Sequence, residues 1–90
     1  MGGAQLRWTV KGTPRTHYGA RPGEHPRYYV RRERRSGTLF WIVWYRPGGL
    51  TDVELGVVPN TLDEAKRRAE EDLEYRVALA EVSRLQGTTA

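Results

Sequence analysis

The chain has 90 residues, no cysteine and a formal charge of +4 at neutral pH, with 29% charged residues. That length fits one small domain with a compact core, and the missing thiols exclude a disulfide framework and a thiolate zinc site. Neither an apolar leader nor a run of roughly 20 apolar residues is present, so secretion and membrane spanning are not expected and a cytoplasmic protein is.

Charge divides along the chain. Residues 1–50 hold ten Lys/Arg against two acids, Glu24 and Glu33, whereas residues 51–90 hold five Lys/Arg against nine acids. Such asymmetry points to one surface made for a polyanion or an acidic partner.

Gln5 to Lys11 alternates, with Leu6, Trp8 and Val10 on one side and Arg7, Thr9 and Lys11 on the other, which predicts a half-buried strand. Residues 12–27 hold three Pro and three Gly among His and Arg, show no period, and read as a flexible basic loop. A second strand is expected over Tyr28 to Arg34, with Tyr28 and Val30 inward and Tyr29, Arg31 and Glu33 outward. Arg35-Ser36-Gly37 supplies the turn.

The third strand, Leu39 to Tyr45, is apolar on both faces, as in the middle of a sheet. Two alternate sets, Leu39/Trp41/Val43/Tyr45 and Phe40/Ile42/Trp44/Arg46, are both apolar enough for the core. The second set is favoured outward because it ends in Arg46. Val53 to Val58 forms a short fourth strand with Val53, Leu55 and Val57 on one face, stopped by Pro59.

Thr61-Leu62-Asp63-Glu64 opens a helix with a capping box, and the helix runs over residues 61–86, leaving 87–90 as a frayed tail. Leu62, Ala65, Ala69, Leu73, Val77 and Ala80 make one apolar stripe suited to packing on the sheet. Tyr75, Ala78, Leu79, Val82 and Leu85 make a second stripe on the other side with helix–helix spacing. A helix of this length, about 39 Å, outruns strands of about 17–24 Å. The overhang is covered by the 12–27 loop, serves as a dimer or partner interface, or stands exposed. The fold class is α+β: an antiparallel sheet of three to four strands on one long C-terminal helix, β-β-β-β-α, in a single domain.

The sheet face away from the helix would carry arginines for phosphates and aromatics for stacking. Expected nucleic-acid contacts are Arg7, Lys11, Arg15, Arg21, Tyr29, Arg31, Arg32, Arg34, Arg35, Trp44 and Arg46. Arg21, within Gly19-Ala20-Arg21-Pro22-Gly23, lies in a minor-groove-like hook. The expected protein-partner interface is Tyr75, Ala78, Leu79, Val82 and Leu85.

His17, His25 and Glu24 lack a pre-organising scaffold for a metal, and Ser36 and Ser83 have no evident base. Neither catalysis nor a cofactor, metal or small-molecule substrate is expected.

The run Trp41-Ile42-Val43-Trp44, then Leu55-Gly56, then Thr61-Leu62-Asp63-Glu64-Ala65-Lys66, resembles the sheet-plus-helix DNA-binding domain at the start of phage-type tyrosine recombinases. It is also similar to the plant AP2 domain. The similarity covers roughly residues 28–75 and departs in its longer helix. It implies a sheet that enters the major groove, braced by the helix, with Arg31, Arg34 and Arg46 among the DNA contacts and Tyr29 and Trp44 as apolar ones. Short chains of this pattern look like phage accessory proteins, a group that includes host-directed inhibitors.

The expected function is a non-enzymatic nucleic-acid-binding module, with DNA favoured over RNA. The alternative is an adaptor or inhibitor that binds a protein, acidic or a second copy of itself, through the helix seam or sheet edge.

Overall fold

The computed structural model describes residues 5–48, 52–58 and 61–87. Five strands, β1 (Arg7–Lys11), β2 (Thr16–Ala20), β3 (Tyr28–Arg35), β4 (Thr38–Tyr45) and β5 (Val53–Val58), precede one helix, α1 (Leu62–Gly87). The strands form a single antiparallel sheet in chain order, β1-β2-β3-β4-β5. The α+β architecture is the expected one, with five strands rather than three to four. No helix among the described residues is long and apolar enough to cross a membrane.

The extra strand is β2, inside the segment read as one flexible loop over 12–27. Thr16 and Tyr18 point to one face and His17 and Gly19 to the other, so neither side reads as apolar in sequence. Pairing on both edges, with β1 and with β3, supplies the backbone partners that hold it extended. Trp8 stands opposite Gly19, and a Cβ on Gly19 would come within 2.9 Å of the Trp8 ring. The glycine is therefore the seat of an indole.

The β3–β4 hairpin is set by its turn. Ser36 and Gly37 both take positive φ, 51° and 82°, and Arg35 pairs with Thr38, the two-residue geometry that matches strand twist.

One sheet face packs under α1. Its core holds Leu6, Tyr28, Val30, Val43, Ala65, Ala69 and Leu73, flanked by Trp8, Trp41, Tyr45, Leu55 and Leu62. Buried alanines let the helix approach the sheet closely. The Leu39/Trp41/Val43/Tyr45 set thus faces the helix and the set ending in Arg46 faces away, as favoured from sequence.

A bulge between Val43 and Trp44 breaks the alternation of β5. Leu55 reaches the core while Val57 pairs with Ile42 on the opposite face, so Val53, Leu55 and Val57 do not share one face. Arg68 on α1 donates to the Leu55 carbonyl at 3.2 Å, tying the irregular strand to the helix.

The helix begins as expected. The Glu64 amide donates to Thr61 Oγ1 at 3.1 Å and the Thr61 hydroxyl donates to Glu64 Oε1 at 3.3 Å. Farther along, Val77 and Ala80 are exposed rather than packed on the sheet, because α1 continues past the end of β3 and β4. Gly87 is still helical. The expected tail over 88–90 and the strand stop at Pro59 lie outside the described residues.

Candidate nucleic-acid interface

The sheet face away from α1 has its own apolar patch. Ile42 is fully buried there although no helix covers it, and Tyr29 is 7% exposed. Tyr29 stacks on Trp44 with ring centroids 6.3 Å apart and planes 19° apart, and Tyr18 lies 5.9 Å from Tyr29 on the other side. The Arg31 guanidinium sits 5.8 Å from the Tyr29 ring and 5.9 Å from the Trp44 ring, within cation–π range. These side chains bury one another across β2, β3 and β4.

Three arginines of this face are each matched by an acid. Arg31 Nε and Trp44 Nε1 both donate to Glu33 Oε2, at 2.9 and 3.0 Å. Arg35 Nη2 lies 2.6 Å from Glu54 Oε1 and 3.7 Å from Glu33. Arg46 Nε donates to Asp52 Oδ1 at 2.9 Å, and the Tyr29 hydroxyl donates to Asp52 Oδ2.

These contacts set the charge states. Burial pushes the Glu33 carboxyl up, but the hydrogen bonds from Arg31 and Trp44 outweigh it and the net position is below the ordinary value. Hydrogen bonds from Arg46 and then Tyr29 hold Asp52 below its ordinary value as well. Glu33 and Asp52 are therefore carboxylates at neutral pH, set against Arg31 and Arg46 respectively.

Uncompensated charge collects at the β1 side. Arg7 and Lys11 project from the open face of this edge strand, Arg15 stands in the β1–β2 turn, and all three are exposed with no ion pair among the described residues. A shallow recess of about 460 Å³ lies between that turn and β3, with Lys11, Thr16, Tyr18, Arg31, Arg32 and Glu33 among its lining residues.

The remaining expected contacts fall elsewhere. Arg32 and Arg34 alternate onto the helix-side face of the hairpin tip, where the Arg32 guanidinium lies 5.4 Å from the Trp41 ring and Arg34 donates to the Gly37 carbonyl at 3.0 Å. The run Arg31-Arg32-Glu33-Arg34-Arg35 is thus split between two faces, as any β-strand must split it. Arg21, just past the Ala20 partner of Arg7, lies 3.8 Å from Glu24 and faces α1 across a groove. Trp44 is half-buried, and Tyr29 supports it from within.

The helix seam is accessible: Tyr75 is 63% and Leu85 60% exposed, and Ala78, Leu79 and Val82 are exposed with them. Sequence reasoning did not foresee Thr16 and Tyr18 on the open face, or the pairing of Glu54 and Asp52 with arginines. The Thr16-x-Tyr18 alternation was the available signal for the first. His17 lies on the helix side of β2, edge-on to Trp41 at 5.8 Å.

No family model, curated protein or solved structure matches this chain.

Proposed function

We propose that the protein is a non-enzymatic nucleic-acid-binding module that works in the cytoplasm and uses the β1–β2–β3 part of its open sheet face. The carrying observation is the placement of Arg7 and Lys11 on the open face of edge strand β1 and of Arg15 in the β1–β2 turn, without acidic partners among the described residues, next to β2, whose Tyr18 lies on the same face. Free cations at an edge serve phosphates, and the half-buried Trp44, farther in on the same face beyond β2 and β3, serves a base or sugar. Arg35 and Arg46, held by Glu54 and Asp52, brace this face in the same reading. DNA is favoured over RNA, since a sheet backed by a helix is suited to the major groove, the docking that the likeness to recombinase arm-binding domains implies.

The test is fluorescence anisotropy of labelled duplex and single-stranded DNA and RNA at about 50 and 200 mM salt. Engagement of about five phosphates gives a log–log salt slope of about −4 for duplex DNA. Absence of binding at the lower salt removes the reading.

A second reading rests on the exposed seam of α1, where Tyr75, Ala78, Leu79, Val82 and Leu85 align on one side of the overhang. In that reading the chain is a protein-binding adaptor or inhibitor, or a homodimer. Val82→Asp then changes self-association in sedimentation or capture of a protein partner while nucleic-acid affinity stays fixed, and identical monomers before and after the substitution discard the homodimer.

A further inference from the structure

The buried stripe of α1 does not end where the sheet ends. Ala65, Ala69 and Leu73 pack on β3, β4 and β5, and the same stripe continues as Val77 and Ala80 over a groove of about 440 Å³. Residues 21–27 form the opposite wall, so the loop faces the overhang across the groove instead of covering it. Leu6, Tyr28 and Tyr45 complete an apolar floor with Leu73, Val77 and Ala80.

The rim carries the opposite chemistry. Arg21, Arg27, Arg76 and Arg84 line it together with His25, against two acids, Glu24 and Glu81. Those two acids are already matched, Glu24 by Arg21 at 3.8 Å and Glu81 by Arg84. Arg76 is matched by Asp72 at 2.5 Å, with its guanidinium carbon 3.8 Å from the centre of the Tyr45 ring. Arg27 has no acid among the described residues; its Nη1 donates at 2.8 Å to a backbone carbonyl, that of Pro47.

We propose that this groove is a docking site for a short acidic peptide segment of a partner protein, one that places large apolar side chains on the floor and a carboxylate against Arg27. Charge complementarity selects the acid, because Arg27 is the rim arginine without an acid among the described residues and is held in place by the Pro47 carbonyl. The floor selects an apolar side chain and disfavours a phosphate backbone, which cannot be desolvated against Tyr28, Leu73 and Val77. From Leu73 to Arg84 the helix rises about 16 Å, room for about five extended residues at about 3.3 Å each. The site lies on the helix side of the sheet and is independent of the nucleic-acid reading of the open face.

The test uses an array of acetylated, amidated five-residue peptides with Asp or Glu at positions one, three and five and Leu, Ile, Phe, Tyr or Trp at two and four. Control arrays carry Lys in place of the acids, or Ala in place of the apolar residues. The expected result is a set of acidic-apolar peptides binding the full chain at least about tenfold more tightly than both controls, with affinity reduced about tenfold or more by Ala80→Glu and by Arg27→Glu. Both positions are exposed, and an unchanged thermal midpoint confirms folding; Arg27→Ala gives a second reading of the rim should Ala80→Glu unfold. Absence of any peptide binding below about 1 mM, or equal binding of either control array, overturns the proposal. Two further results also overturn it: displacement of the peptides by duplex DNA with loss of DNA affinity in Ala80→Glu, which gives the groove to nucleic acid, and self-association abolished by Ala80→Glu, which gives it to a second copy of the chain.

Discussion

The phenol of Tyr28 donates to Asp72 Oδ2 at 2.8 Å, a buried hydrogen bond across 44 residues that fixes α1 against the middle of the sheet. Arg76 Nε donates to the same oxygen at 2.5 Å, so the carboxylate is satisfied from the strand and from its own helix. The pair lies beside Leu73, where the buried positions of α1 give way to exposed ones from Val77 onward. Tyr28→Phe keeps the ring and removes the donor, and should lower unfolding free energy by about 1–2 kcal/mol in urea titration.

The same contact has an alkaline signature. Burial, and then the hydrogen bond to Asp72, raise the Tyr28 phenol well above its ordinary value of 10.0. The folded chain holds this proton more tightly than the unfolded chain, so the stabilisation is complete below about pH 10 and declines as pH rises through the folded value. The thermal midpoint should therefore fall above about pH 10, and fall less steeply in Tyr28→Phe.

His17 gives the opposite sign. Burial, followed by the positive charges of Lys66 and Arg15, lowers its imidazole below the ordinary 6.5, and Nδ1 is buried without a hydrogen-bond partner among the described residues. The folded state prefers the neutral ring, so stability is full above about pH 6.5 and decreases as pH falls through the folded value. Glu33 and Asp52, both held below their ordinary values, add a separate loss below about pH 4. His17→Leu should reduce the drop in thermal midpoint between pH 7 and 5 and leave the lower transition in place; an unchanged drop would assign it to other groups.

Gly19 and Trp8 form a second matched pair, with no room for a side chain under the indole. Gly19→Val should destabilise by about 1–3 kcal/mol through overpacking. Trp8→Ala removes the obstruction, so the double variant should be less destabilised than the sum of the two single variants. Strict additivity in a double-mutant cycle would show that the ring moves aside freely.

The arginines should separate into two classes. Charge reversal at Arg7, Lys11 and Arg15 together should reduce nucleic-acid affinity by about a hundredfold or more at 50 mM salt and flatten the salt slope by about 3, with an unchanged thermal midpoint. Arg46→Ala, which frees Asp52 and removes a support of Tyr29, should act mainly on stability and change affinity by less than about threefold. Anisotropy and thermal unfolding on the same samples distinguish the classes, and a greater loss of affinity from Arg46→Ala would move the contact surface to the β4 side.

Periodicity, turn chemistry and capping determined the alternating first strand, the doubly apolar β4, the Ser36-Gly37 turn and the Thr61–Glu64 helix start, whereas both sets of β4 suited the core and the outward one was only favoured for ending in Arg46. Each of these depends on neighbours within a few residues, where local sterics and hydrogen bonding act directly. The second apolar seam and the overhang of α1 were legible for the same reason, since helix rise and strand rise are fixed lengths. Only the tertiary structure decided that Thr16–Ala20 is a strand, because its extended form depends on β1 and β3 at its two edges and on an indole seated over Gly19. Only tertiary structure could pair Arg35 with Glu54, Arg46 with Asp52 and Tyr28 with Asp72, and so convert a basic half of the sequence into a neutralised centre with free cations at the β1 edge. Charge along a chain adds by position, whereas charge on a surface depends on which side chains the sheet register and the helix bring within a few ångströms of one another.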